Sequence, residues 1–239
     1  MKALLLNSGL GSRMGELTAN MPKTMIEINK TQTIIARQLS QLKKAGINDI
    51  VITTGPFEDV LKEYVMRLFP EMNFTFVRND IYDKTNYIYS IYLAREYLDD
   101  DIIMLHGDLV FEDGIIEKML KCADSLVTVS FSANLPEKDF KGVIDKTNII
   151  SKIGIEYFDQ AVALQPLYKL NRADWRVWLN NIIRFCEKDD VRCYAEKALN
   201  EITDEIKLLA FDCGDKLCNE IDNIDDLKYI RNVFDRRGQ

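Results

Sequence analysis

Leu6-Asn7-Ser8-Gly9-Leu10-Gly11-Ser12-Arg13-Met14, with Pro22-Lys23 close behind, is the stretch on which the reading of this chain turns. It follows Ala3-Leu4-Leu5-Leu6, an apolar run that reads as a buried first strand. Glycine reaches backbone conformations closed to other residues and lets main-chain N–H groups approach an anion closely. Arg13 adds a guanidinium whose fork matches phosphate oxygens, and Lys23 adds a second cation behind the stiff Pro22. The bland reading is a tight strand-to-helix turn flanked by surface cations. A dinucleotide fingerprint is excluded. Met14 stands at its third glycine, and the next strand ends in Thr53-Thr54-Gly55 with no acid for a ribose. A P-loop is excluded because no Gly-Lys-[Ser/Thr] closes the loop.

Downstream of this loop, short apolar runs alternate with helical periodicity. The spacing predicts helices over 31–45, 58–69, 87–98 and 112–122, and strands over 49–54, 73–77, 102–106 and 126–131. Strands that read as runs rather than alternations are buried on both faces, as in a parallel sheet built from βαβ units. The expected fold class is α/β, a doubly wound and mostly parallel sheet whose ligands lie beyond the carboxyl ends of the strands. The second half reads differently. It holds an alternating hairpin over 141–157 with its turn at Asp145–Asn148, one more strand near 163–169, and a helix over 171–186 with Trp175 and Trp178. A strand over 206–211 and a closing helix over 224–234 follow. No Pro/Gly/Ser-rich linker divides the chain. We expect one domain, with 1–132 and 218–239 as its core and 133–217 as a small α+β insertion on the acceptor side.

The 239 residues carry 31 Lys and Arg against 38 Asp and Glu, a formal charge of −7. That balance gives no global attraction to nucleic acid or anionic membrane, so an anionic ligand needs a local cationic site. No stretch approaches the ~20 apolar residues of a membrane span. The N-terminal apolar run is shorter than the ~7–15 residues of a secretory h-region. The five cysteines form no C-x-x-C, and with a single His a His-based zinc site is not expected. Reduced thiols and a cytoplasmic location are the expectation. The sequence leaves the oligomeric state open.

His106-Gly107-Asp108 ends a predicted strand at the ligand edge, and Glu220-Ile221-Asp222 precedes the last helix. Carboxylates so placed suit Mg²⁺, which takes a few of them plus phosphate oxygens and water. They equally suit a turn Asp and a helix-start acid.

The string Gly9-Leu10-Gly11-Ser12-Arg13, then nine residues, then Lys23 resembles the signature of nucleoside-triphosphate transferases that activate phosphorylated sugars and alcohols. Asn7 stands where that pattern usually has a small residue. The stretch Asn79-Asp80-Ile81-Tyr82-Asp83-Lys84-Thr85-Asn86-Tyr87-Ile88-Tyr89-Ser90 is similar to one in phosphocholine-cytidylyltransferase-like nucleotidyltransferases, as is the closing Glu220–Leu227. The resemblance implies a Rossmann-like sheet of the nucleotide-diphospho-sugar transferase type, with CTP as nucleotide and Mg²⁺ as cofactor. It implies that Asn7, Ser8, Gly9, Leu10, Gly11 and Lys23 hold the nucleotide, with Thr85, Asn86 and Ser90 near its base and ribose. Asn86 and Ser90 also suit a helix-start cap. It further implies Arg13, Lys23 and Asp108 as catalytic residues, and Asp108, Asp222 and Glu220 as metal ligands.

In the same comparison one aromatic wall of the choline cage falls at Ala195 and another at Phe140, while Lys138, Lys141 and Arg192 add cations. Gly154-Ile155-Glu156-Tyr157-Phe158, Gln165-Pro166-Leu167-Tyr168-Lys169 and Cys193-Tyr194-Ala195-Glu196 are similar to a phosphoglutamine-directed branch of the family, which supplies the phosphoramidate of bacterial capsules. This implies transfer of CMP from CTP to L-glutamine phosphate with release of pyrophosphate, with Glu156, Gln165 and Glu196 at the amino-acid end. Phosphocholine, phosphoethanolamine, aminoethylphosphonate and a sugar 1-phosphate stay open as acceptors. A nucleotide-binding module with a dead site would lack the loop lysine or a metal acid, and both are present. A glycosyltransferase using a nucleotide sugar calls for a D-x-D, which His106-Gly107-Asp108 is not.

Overall fold

The computed structural model describes residues 1–237. The first strand, β1 (Lys2–Asn7), runs into the glycine loop, where Ser12–Thr18 and Lys23–Met25 form short 3-10 turns. Then come α1 (Ile34–Lys44), β2 (Asp49–Thr54), α2 (Glu58–Leu68), β3 (Asn73–Arg78), α3 (Tyr87–Ala94) and β4 (Ile102–His106). Next are β5 (Leu109–Phe111), α4 (Ile115–Met119), β6 (Ser125–Ser130), β7 (Lys141–Ile144), β8 (Ile150–Gly154) and β9 (Ala161–Leu170). The chain closes with α5 (Arg172–Glu187), α6 (Ala195–Leu199), β10 (Leu208–Asp212), β11 (Cys218–Glu220) and α7 (Ile224–Arg237).

The main sheet runs β10-β6-β9-β4-β1-β2-β3, with β7 beside β9 and β8 beside β7. β1 pairs in parallel with β2 and β4, and β2 with β3, while β9 runs antiparallel to β4, β6 and β7. Alternate residues of β1 enter different cores. Leu4 and Leu6 pack with Ile88 and Ile91 of α3 and Trp175 and Trp178 of α5. Ala3 and Leu5 pack with Ile35, Leu39 and Leu42 of α1 and Leu61 and Val65 of α2. Helices therefore cover both faces, as the doubly wound reading requires. Each fully buried side chain of this kind contributes about 1.5–3 kcal/mol, and a one-residue slip would exchange every one between faces. The register is fixed accordingly, with Leu6 opposite both Thr53 and His106. That alignment brings the ends of β1, β2 and β4 to one edge of the sheet.

Two expectations change. The helix expected over 112–122 is only Ile115–Met119, preceded by β5. Leu109-Val110-Phe111 is β-prone and pairs antiparallel with Cys218–Glu220, and Gly114, at φ 85°, starts the helix late. Residues 133–217 are also more than an appendage. They supply β9 to the middle of the sheet and β10 to its edge, and β9 is buried on both faces along nearly its whole length, with Lys169 held on backbone carbonyls. A third core, with Met14, Ile26, Val110, Ile221, Leu227 and Phe234, seats α7 against the glycine loop. All five cysteines are free thiols, and among the described residues no helix is long and apolar enough to cross a membrane.

Candidate active site

The sheet edge carries the expected constellation. Gly11 adopts φ 64°, and a Cβ there would stand 2.8 Å from Cβ of Lys23. The glycine thus lets the loop fold onto the lysine stem. Lys23 Nζ lies 2.6 Å from Asp108 Oδ2 and 3.1 Å from Asp222 Oδ1, and Arg13 Nη2 lies 2.8 Å from that same Asp222 oxygen. Burial works against the Lys23 ammonium, but the two carboxylates outweigh it and raise its pKa. Burial likewise resists ionisation of Asp108, yet Lys23 and His106 pull its pKa down. Arg13 is mostly exposed, which leaves it free to follow a ligand.

The structure separates the structural from the functional readings of the two acids. The start of α7 is capped by its neighbours: Asp226 accepts from the backbone N–H groups of Asp222 and Asn223, and Asn223 accepts from those of Asp225 and Asp226. Asp222 is not the cap, and its carboxylate faces the cleft. Asp108 likewise spends its carboxylate on Lys23 rather than on its own turn. Glu220 sits on β11 and accepts from His106 Nδ1 at 2.8 Å. Burial and the charge of Asp108 push Glu220 up to about 7. For His106 burial opposes the charge, but the bond to Glu220 prevails and raises it to about 9. Ligand atoms of His106, Asp108 and Glu220 lie within 4.8 Å of one another.

Two cavities meet here. One, of about 320 Å³, is lined by Ser8, Gly9, Thr85, Asn86 and Ser90 among others. The other, of about 310 Å³, holds Arg13, Lys138, Phe140, Tyr194, Glu220 and Asp222. They share Tyr87, His106 and Asp108. Asn7, Gly11 and Lys23 line a smaller cavity of about 220 Å³ beside the first. Asn7 Nδ2, Ser8 Oγ and His106 Nε2 are buried without hydrogen-bond partners among the described residues, as donors waiting on a ligand would be. Gly107 is required by contact: a Cβ there would meet Asn7 Oδ1 at 1.8 Å. Gly107→Ala is expected to cost about 1–3 kcal/mol through overpacking, read as a lower Tm together with weaker nucleotide binding. An unchanged Tm would show that Asn7 moves aside freely.

The remaining expected residues fall unevenly. Asn86 is the cap of α3, with Oδ1 accepting from Tyr87 N, yet it still lines the larger nucleotide-side cavity. Thr85 and Ser90 both accept from Asn79 Nδ2 at 3.0 Å, so Asn79 fixes that wall. Leu10 is 40% exposed and lines none of these cavities. Gln165 reaches the cleft beside Asp139, Glu220 and Asp222. Glu196 does not offer a free carboxylate. It is 1% exposed and accepts from Tyr168 at 2.8 Å and from Tyr87, so it sets the ring that lines the cleft. Lys141 is also buried, its ammonium on the carbonyls of Pro136 and Asp139. Glu156 lies further out, in a cavity of about 530 Å³.

Sequence reasoning missed His106, Tyr87 and Tyr194 as site residues. Tyr194, next to Ala195, puts its ring centroid 5.0 Å from Phe140 and 5.8 Å from Tyr87. The signal for His106 was its place two residues before Asp108 at a strand end. Its charge partner, Glu220, is visible only once β11 pairs with β5.

Comparison with known proteins follows the same lines. The family described as the MobA-like NTP transferase domain matches residues 3–140. A CTP:phosphoglutamine cytidylyltransferase from Campylobacter jejuni is 33% identical over 54% of this chain and 52% of its own. A choline-phosphate cytidylyltransferase from Streptococcus pneumoniae is 37% identical over 47% of each. A CMP-5'-(3-aminopropyl)phosphonate synthase from Streptomyces rubellomurinus is 29% identical over 60% of this chain and 22% of its own. The chain thus spans about half the length of the first two relatives and less of the third. Among solved structures, CTP:phosphocholine cytidylyltransferase from Streptococcus pneumoniae superposes with a TM-score of 0.76 at 20% identity, covering 98% of both chains. The inositol-1-phosphate CTP transferase from T. maritima gives 0.78 at 20% identity, over 98% of this chain and 96% of its own. These likenesses establish a mostly parallel, Rossmann-like nucleotidyltransferase fold. With the family match covering more than half of its length, the chain belongs to the MobA-like NTP transferase family.

Proposed function

We propose that this protein transfers CMP from CTP to the phosphoryl group of a small acceptor, releasing pyrophosphate. The observation that carries the reading is the meeting of two ligand-sized cavities at Asp108, His106 and Tyr87, with Lys23 held at the junction. One cavity takes the nucleoside against Ser8, Gly9, Thr85, Asn86 and Ser90; the other takes the acceptor. An acceptor phosphoryl oxygen, anionic at neutral pH, attacks the α-phosphorus in line. A new P–O bond forms, the bond to the bridging oxygen breaks, and pyrophosphate leaves with that oxygen. No protein nucleophile or general base is needed, so positioning and charge carry the catalysis. Lys23 and Arg13 neutralise charge on the leaving phosphates, and the loop N–H groups hold them in place.

The donor set fits a divalent cation. Asp108 and Asp222 both reach one ammonium nitrogen, so their oxygens converge on a single point, and Glu220 lies beside Asp108. Carboxylates of this kind hold Mg²⁺ together with phosphate oxygens. Bound there, Mg²⁺ would supply Lewis-acid polarisation of the phosphate.

For the acceptor we favour L-glutamine phosphate, with Gln165 and Glu156 in contact with it and Glu196 acting through Tyr87. The Campylobacter relative's activity and the free charges Lys138 and Arg192 support this choice. The test is a pyrophosphate-release assay with each nucleoside triphosphate against phosphoglutamine, phosphocholine, phosphoethanolamine, 2-aminoethylphosphonate and a sugar 1-phosphate. CTP with phosphoglutamine should give the highest kcat/KM. Preference for a sugar 1-phosphate would move the protein to another branch, and no turnover with any pair would remove the transferase reading.

A further inference from the structure

His106 is the only histidine in the chain, and the proposed transfer needs no imidazole as base or nucleophile. The fold nevertheless holds this ring with care. Its backbone lies opposite Leu6 at the end of β4, and Glu220 reaches it from β11, which pairs with β5. The Tyr87 ring meets it edge-on at 4.8 Å and the Phe140 ring at 6.4 Å. Nδ1 is bound to Glu220 Oε1 at 2.8 Å, while Nε2 is buried with no partner among the described residues. A buried imidazole kept only for structure normally satisfies both nitrogens. One that is anchored through a carboxylate and open at its other nitrogen is arranged as metal-binding imidazoles are.

The neighbours complete the set. One ligand atom each from His106, Asp108 and Glu220 lie within 4.8 Å of one another, so a single ion can reach all three. Two carboxylates this close repel when both are ionised, and a cation between them relieves the repulsion. The donors are then one nitrogen and two oxygens. Mg²⁺ takes oxygen ligands and gives up its waters reluctantly, whereas imidazole suits the first-row transition ions. We propose that His106 is a metal ligand which, with Asp108 and Glu220, makes this centre select a first-row transition cation such as Mn²⁺ over Mg²⁺. The inference rests on the cation-holding role proposed for the two acids and adds a third ligand and the class of ion. Mg²⁺ still binds through the carboxylates, only more weakly.

Mn²⁺ added alone to the nucleotide-free protein is the probe. With the protein carrying ¹⁵N-labelled histidine, electron spin-echo modulation of the bound Mn²⁺ should show coupling to the label, which in this chain has a single source. In calorimetric titration the wild type should bind Mn²⁺ more tightly than Mg²⁺. His106→Asn, which offers an amide oxygen in place of the nitrogen, should lower Mn²⁺ affinity about 10- to 100-fold and Mg²⁺ affinity far less. If that variant does not fold, the labelled wild type decides alone. Bound Mn²⁺ without coupling to the label, or an equal loss of both ions in His106→Asn, overturns the assignment and leaves the acids as the ligands. No binding of Mn²⁺ to the wild type overturns it as well. The transferase reading is judged apart from this, by pyrophosphate release, and its failure leaves the spectroscopic result standing.

Discussion

Lys23→Ala is expected to lower the rate of pyrophosphate release about 10²–10³-fold, the usual cost of one preorganised charge at a developing anion. The fold should survive. Alanine keeps the Cβ on which Gly11 packs, and the lysine stem is not part of any of the three apolar cores. What disappears is the ammonium between Asp108 and Asp222, at 2.6 and 3.1 Å. A purely structural lysine would show its loss chiefly in Tm. A catalytic one shows it in kcat with the circular dichroism unchanged. The same variant offers an independent readout. With the ammonium gone, the two carboxylates face each other unneutralised, so a divalent cation should bind the nucleotide-free protein more tightly than it binds the wild type. Wild-type turnover in Lys23→Ala would refute the site. Weaker metal binding would mean that Lys23 orients the acids instead of competing for them.

Much of this was legible before any coordinates. The glycine loop, the cations at 13 and 23 and the acids at 108 and 222 are local signals. Each depends on a strand end and a short spacing, and the parallel sheet brings strand ends together by construction. What the sequence concealed was non-local. β5 and β11 are three residues each and lie over a hundred positions apart, so neither shows a period on its own. Their pairing is what sets Glu220 against His106. Glu196 misled for a related reason. The resemblance puts its carboxylate at the amino-acid end of an acceptor, and only the packed structure reveals two tyrosine hydroxyls, on α3 and β9, that occupy it. Tyr194 was passed over because the resemblance drew the reading to position 195, while the ring that meets Phe140 and Tyr87 belongs to the residue before it, which leads into α6.

Removing divalent metal should abolish transfer, and Mg²⁺ should restore it. The argument is one of charge balance. The cleft offers the cations Arg13, Lys23, His106 and Lys138, and the first three are already in direct contact with Asp108, Asp222 and Glu220. A nucleoside triphosphate and an acceptor phosphate bring several more negative charges to the same place. Without a further cation they would repel the acids and each other, in a partly buried site where such repulsion is poorly screened. Asp108→Asn preserves size and much of the hydrogen bonding while deleting one charge. It should therefore lower kcat about 10²–10³-fold. It should also weaken the joint binding of Mg²⁺ and CTP in a calorimetric titration, a readout that needs no turnover. Asp222→Asn should act in the same direction, and without loss of α7, because Asn223 and Asp226 cap that helix. Transfer that persists in EDTA would mean that Lys23, Arg13 and His106 suffice to neutralise the phosphates. The two acids would then serve only to hold those cations in place, and Asp108→Asn would alter KM for CTP more than kcat.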